Sequence, residues 1–166
     1  QDTCAHSLVP AVPRPQHGYR LLDTARIYRG GQAEKDIGEL LATGRWPRES
    51  VFVTTKTSSH GPADNTYMWD PSVDPTAGVL AEFAGCLERL NLPSVDLLLL
   101  HWPGPPPGGA KDRPNTLTPE QHVEKRLAMW RALETIYKKG QAKAIGVSNC
   151  ASCSSTDALS ALCSCS

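Results

Sequence analysis

The chain has 166 residues, enough for one domain with a sizeable core. Its 17 basic and 17 acidic side chains cancel and are interspersed, which argues against a nucleic-acid or membrane-surface partner. No apolar run approaches the length of a membrane span, so a globular, cytoplasmic protein is expected, with a targeting segment left open because the sequence starts at Gln1 rather than Met.

Residues 1–17, with Pro10, Pro13 and Pro15, show no hydrophobic period and read as a loose leader. A first short strand is predicted over 19–23, ending abruptly on Asp23, with Tyr28 five residues further on and Gly30-Gly31 after it. A helix over 33–43 follows, with Ile37, Leu40 and Leu41 on one face and Gly44 as its stop. The run VFVTTK predicts a second strand over 51–56 that ends on Lys56. Residues 57–74 contain His60, Gly61, Pro62 and Pro71, too many breakers for regular structure. Loops of that length are usually functional or disordered.

Asp74 and Pro75 are the cap and first residue of a second helix, whose apolar face is Leu80, Phe83, Ala84, Leu87 and Leu90. Cys86 falls inside it as a small buried apolar residue. The continuous apolar run over 95–101 is typical of a strand covered on both faces, and it stops on His101. The next stretch, 102–117, carries PGPPPGG and is neither helix nor sheet. Thr118-Pro119 with Gln121 is a capping box, opening a helix through Val123, Leu127, Trp130, Leu133 and Ile136 to Lys138-Lys139-Gly140. A fourth strand over 143–149 ends in Ser148-Asn149. Residues 151–166 read as a Ser/Cys-rich low-complexity tail. The spacing of Cys150, Cys153, Cys163 and Cys165 lacks the His or Asp framework of a metal site, so no metal is expected. The organisation is a leader, one domain over 18–150, and a tail.

Alternating strands and helices joined by right-handed crossovers build a parallel sheet, open or closed into a barrel. No strand is followed by the Gly-x-Gly-x-x-Gly turn of an open dinucleotide-binding sheet, and Gly30-Gly31 is a weak stand-in. Every strand ends on a polar residue, and barrel active sites collect at that edge. The expected fold is therefore a partial (β/α)8 barrel of about four parallel strands and three crossover helices, since four strands cannot close a barrel that needs eight.

The strand ends define a chemistry. A phenol titrates near pH ~10 and donates its proton poorly at neutral pH unless a cation stabilises the phenolate. Lys56 could do this for Tyr28, with Asp23 fixing the ammonium. His101 could hydrogen-bond the oxygen of a bound carbonyl. No side chain delivers hydride, so a nicotinamide is required, and Ser148 and Asn149 suit its carboxamide. Taken singly, each residue has a plainer role: Asp23 as a turn cap, Lys56 as a solvated cation, His101 as a structural imidazole, Ser148-Asn149 as a turn. Their joint placement at successive strand ends favours chemistry.

These segments resemble the aldo-keto reductase family. GYRLLDTARIY is similar to its first signature, VFVTTK to the strand bearing its lysine, VDLLLLHWP to the strand bearing its histidine, and ALETIYKKGQAKAIGVSN to a later signature, over about residues 18–149. The resemblance implies an NADPH-dependent oxidoreductase acting on small-molecule aldehydes and ketones. Tyr28 would be the acid, Asp23 and Lys56 its partners, and His101 the carbonyl-orienting group. Asp23, Ser148 and Asn149 would contact the nicotinamide ribose or carboxamide, and Trp102 would line the substrate pocket. The family's hairpin and first strand are not recognisable before Gly18, RGGQA is about three residues longer than its counterpart, and nothing after Asn149 resembles the family's later strands. A truncated chain, weak or inactive alone and prone to associate through exposed strand edges, is expected. Two other readings are a non-catalytic nicotinamide-binding subunit, which has no use for an acid relay, and a lyase using Lys56 as a Schiff base.

Overall fold

The computed structural model describes residues 18–57, 71–103 and 117–149. The predicted leader, the breaker-rich loop from 58 on, the PGPPPGG segment and the cysteine-bearing tail lie outside these residues. Four strands, β1 (Leu21–Asp23), β2 (Phe52–Thr57), β3 (Val95–Leu100) and β4 (Ala142–Val147), form one sheet in chain order. All three neighbouring pairs are parallel. The crossovers are helices α1 (Gln32–Ala42), α2 (Pro75–Leu90) and α3 (Pro119–Lys138). This is the predicted part-barrel of four strands and three helices, and β1 and β4 are its outer strands among the described residues. No helix among these residues is long and apolar enough to cross a membrane.

The helix starts follow their local chemistry. The Asp74 side chain accepts from the Thr76 backbone N–H at 2.9 Å, with Pro75 at the first helical position. At Thr118 both arms of the capping box form: its hydroxyl accepts from Gln121 N, and Gln121 Oε1 accepts from Thr118 N. The boundaries differ from expectation by at most two residues, the full two at the start of β1. That strand starts at Leu21 rather than residue 19, because Tyr19 is exposed and only Leu21, Leu22 and Asp23 pair with β2.

The core lies between the sheet and the helices. Leu22, Val53, Leu98 and Leu100 from the strands meet Val79, Phe83, Cys86 and Leu90 of α2 and Met129, Ala132, Leu133 and Ile136 of α3. Each large side chain buried here contributes about 1.5–3 kcal/mol. The predicted helix faces shift slightly. Ala84 and Val123 are exposed, and the buried stripe of α2 is centred on Val79, Phe83, Cys86 and Leu90. In α1 the buried positions are Glu34 and Gly38, with Ile37 and Leu41 only partly covered. A Cβ on Gly38 would stand 2.7 Å from the Leu90 carbonyl oxygen, so glycine here lets α1 cross the end of α2 closely.

At the foot of the sheet Asp96, 5% exposed, accepts from the Val53 backbone N–H, from Arg48 at 2.6 Å and from Lys143 at 2.8 Å. Burial alone would raise its pKa, but the bonds from Lys143, Val53 and Arg48 win and hold the carboxyl below its usual range. This carboxylate ties β2, β3 and β4 together at the end remote from the polar strand ends.

Candidate active site

At the opposite edge, one more backbone hydrogen bond beyond β1, β3 and β4 fixes the polar residues that follow. Thr24 N donates to Thr54 O at 2.9 Å, His101 N to Thr57 O at 2.8 Å, and Ser148 N to Leu100 O at 2.9 Å. The strand ends are thus held in register past the last paired residue.

Lys56 is the centre of the cluster. It is 5% exposed, and its Nζ donates to both carboxylate oxygens of Asp23 at 2.8 Å, to the Thr24 carbonyl at 3.1 Å and to the Tyr28 hydroxyl at 3.2 Å. A buried ammonium needs such a set of acceptors, because desolvating it unpaired would be very costly. The Nζ also stands 4.9 Å from the centroid of the Tyr28 ring.

Tyr28 reaches this point through a tight turn. Residues Tyr28–Gly31 form a short 3-10 segment whose Arg29, Gly30 and Gly31 have φ of 52°, 64° and 90°. Backbone at such angles favours glycine, and Arg29 there carries strain that its ion pair with Asp36 at 3.0 Å helps to hold. The turn is anchored by fully buried Thr24 and Ala25, the latter accepting from Tyr28 N at 3.0 Å. Tyr28 is 36% exposed, and its hydroxyl accepts from Lys56.

The His101 ring lies edge-on to Tyr28, centroids 6.0 Å apart, and stacks on Trp102 at 3.7 Å and 12°. It is 5% exposed, and burial, reinforced by the Lys56 charge and opposed by Asp23, pushes its pKa down to about 4. The ring is therefore neutral at physiological pH, and Nδ1 is buried with no hydrogen-bond partner among the described residues. Asn149, at φ 54°, donates through Nδ2 to the His101 carbonyl at 2.9 Å and to Ser148 Oγ at 3.3 Å. A carbonyl only accepts, so the amide nitrogen must face it and Oδ1 remains the acceptor.

Asp23, Tyr28, Lys56 and His101 thus meet at one edge of the sheet, with Trp102 against His101 and Ser148 and Asn149 next along it. What the sequence reading missed lies on the other face of β2. Glu34, fully buried, accepts from Thr55 Oγ1 and from Arg89 Nε, both at 2.6 Å. A glutamate in the first turn of a helix is ordinarily solvated and favoured there by the helix dipole, so its burial had no sequence signal.

The model of the Aldo/keto reductase family matches residues 9–161. Glyoxal reductase of Bacillus subtilis is 35% identical over 134 residues, covering 81% of this chain and 37% of that protein. Glycerol 2-dehydrogenase (NADP(+)) of Saccharomyces cerevisiae is 32% identical over 145 residues, covering 80% of this chain and 40% of its own length. An aldo-keto reductase of the silkworm, Bombyx mori, solved in complex with NADPH superposes with a TM-score of 0.54 at 32% identity, over 79% of this chain and 34% of that one. The chain spans a little over a third of the length of the relatives it matches.

Proposed function

The chain belongs to the aldo/keto reductase family, and from that premise we propose that it carries the proton-transfer corner of an NADPH-dependent reductase of aldehyde or ketone carbonyls. The observation that carries this reading is the contact of Lys56 Nζ with both Tyr28 Oη and the Asp23 carboxylate. Tyr28 breaks its O–H bond and gives the proton to the carbonyl oxygen. The phenolate left behind faces the Lys56 ammonium, which Asp23 holds in place. A neutral His101 keeps one ring proton. With Nδ1 buried and unpaired, that proton belongs on Nε2, where it can donate to the same oxygen and orient it. Trp102 stacks on the imidazole and limits its rotation.

The residues at the end of β4 fit a nicotinamide carboxamide. Asn149 Oδ1 is left to accept an amide N–H, and Ser148 Oγ, already accepting from Asn149, keeps its O–H to donate to an amide oxygen. When bound, NADPH supplies the hydride that no side chain can. A paired donor and acceptor is the complement of a primary amide, and Asn149 is fixed in that sense by the His101 carbonyl.

The test is oxidation of NADPH by an aromatic aldehyde, followed by nicotinamide absorbance, with the chain and its Tyr28→Phe variant. Turnover that falls by about 100-fold or more in the variant supports the reading. Turnover that Tyr28→Phe leaves unchanged overturns it.

A further inference from the structure

We propose that Arg89, Glu34 and Thr55 are positioning residues for the Tyr28–Lys56 contact, acting from the helix side of the sheet. The proposal rests on the reductase reading for its functional meaning, and on geometry for its existence. Thr55 and Lys56 are adjacent in β2, so their side chains leave opposite faces of the sheet. Thr55 Oγ1 is bonded to Glu34, three residues after Gly31, and Glu34 is bonded to Arg89 on α2. Arg89 also covers the turn that carries Tyr28: a Cβ on Gly31 would stand 2.9 Å from Arg89 Cδ and 3.0 Å from Nε. One guanidinium therefore touches the end of the Tyr28 turn and, through a buried carboxylate, the strand residue next to Lys56. Its Nη2 further donates to Cys86 Sγ at 3.4 Å, which fixes the head group on α2.

The arrangement does more than stabilise the core. Tyr28 and Lys56 sit on segments that pair with each other through only three residues of β1. The turn is a single short 3-10 segment with three successive residues at positive φ. On the site side of the sheet, its distance from β2 is set by that short strand, the Thr24–Thr54 backbone bond and the contacts of Lys56 Nζ. Arg89, Glu34 and Thr55 add a separate tie between the two from the opposite, helix-covered face.

The experiment uses the full chain labelled with carbon-13 at tyrosine Cζ, with the Tyr28 resonance assigned through Tyr28→Phe. Its readouts are that resonance and the nuclear Overhauser effect between the Tyr28 ring and the Lys56 ε-methylene. Variants are Arg89→Met and the milder Thr55→Val, which keeps the Glu34–Arg89 pair and severs only the strand. Ile136→Val serves as a distant core control. In the folded fraction, both clamp variants are expected to shift the Tyr28 resonance and weaken the Overhauser effect at least twofold, while the control leaves both unchanged. If turnover is measured as well, kcat falls about 10- to 100-fold with KM within about twofold, because a misplacement near 1 Å acts on the reacting geometry. Unchanged Tyr28 signals in both clamp variants overturn the proposal and leave the reductase reading standing. Failure of Tyr28→Phe to reduce turnover removes that reading and leaves the clamp result intact.

Discussion

Lys56 Nζ lies 3.2 Å from the Tyr28 hydroxyl, although the two residues are 28 positions apart and stand on segments of different conformation. The ammonium's remaining contacts, Asp23 and the Thr24 carbonyl, all come from the same strand end and turn as Tyr28. Removing that cation should therefore disable the phenol without disturbing where it sits. Lys56→Met is expected to lower turnover by about 100-fold or more at neutral pH while the circular dichroism spectrum is retained. Near-normal turnover in this variant, measured by nicotinamide absorbance, contradicts the assigned role.

The pH dependence of stability should carry a signature of His101. Its folded pKa, about 4, lies below its ordinary value of 6.5, so the unfolded chain binds more protons between these values. Stability from this group is complete above about pH 6.5 and is lost as pH falls toward 4, in total on the order of 3 kcal/mol. Urea unfolding of the chain and of His101→Gln across this range checks it. The difference between the two should shrink on acidification, and a difference independent of pH would falsify the assignment of a neutral buried ring.

Asp96 should matter for stability alone. Asp96→Asn deprives Arg48 and Lys143 of their shared charge and weakens the bond from Val53 N, at a cost of about 2–4 kcal/mol. Because its folded pKa is lowered, the contribution is present above the unfolded value near 3.8 and fades as pH falls through the folded one. Denaturation midpoints should drop in the variant at pH 7, with the Tyr28 and Lys56 resonances unmoved.

Gly38→Ala pits helix propensity against space. Alanine gains up to about 1 kcal/mol in a helix interior, yet its Cβ would meet the Leu90 and Arg89 carbonyl oxygens at 2.7 and 2.8 Å. Backbone atoms at the end of α2 cannot swing aside as a flexible side chain can. The clash should win, with a net loss of about 1–3 kcal/mol in a denaturant titration. A stabilised variant would show that the two helices separate freely.

The order of elements was legible because each signal was local. Period-two or continuous apolar runs marked the strands, Asp74-Pro75 and Thr118-Pro119 marked helix starts, and single polar residues marked strand ends. Asp23, Lys56 and His101 could be placed on one edge because parallel strands joined by crossover helices all end at the same side. Where the reading fell short, the cause was non-local. The burial of Glu34 depends on Arg89 arriving from another helix, and the exposure of Ala84 and Val123 depends on where neighbours stop. The buried, unpartnered Nδ1 of His101 and the sense of the Asn149 amide follow from surroundings that no spacing encodes. The two-residue shortening of β1 likewise reflects the absence of pairing at Tyr19, not any breaker in the sequence.

The alternation of Thr55 and Lys56 along β2 has a consequence for assembly fidelity. Were this strand to slip by one position against its neighbours, the ammonium would be thrust among apolar helices and the hydroxyl would take its place beside the phenol. Such a chain would forfeit stability and the proposed proton transfer in the same event. Mispaired molecules would therefore be selected against twice over, and no population of well-folded but silently miswired copies should accumulate.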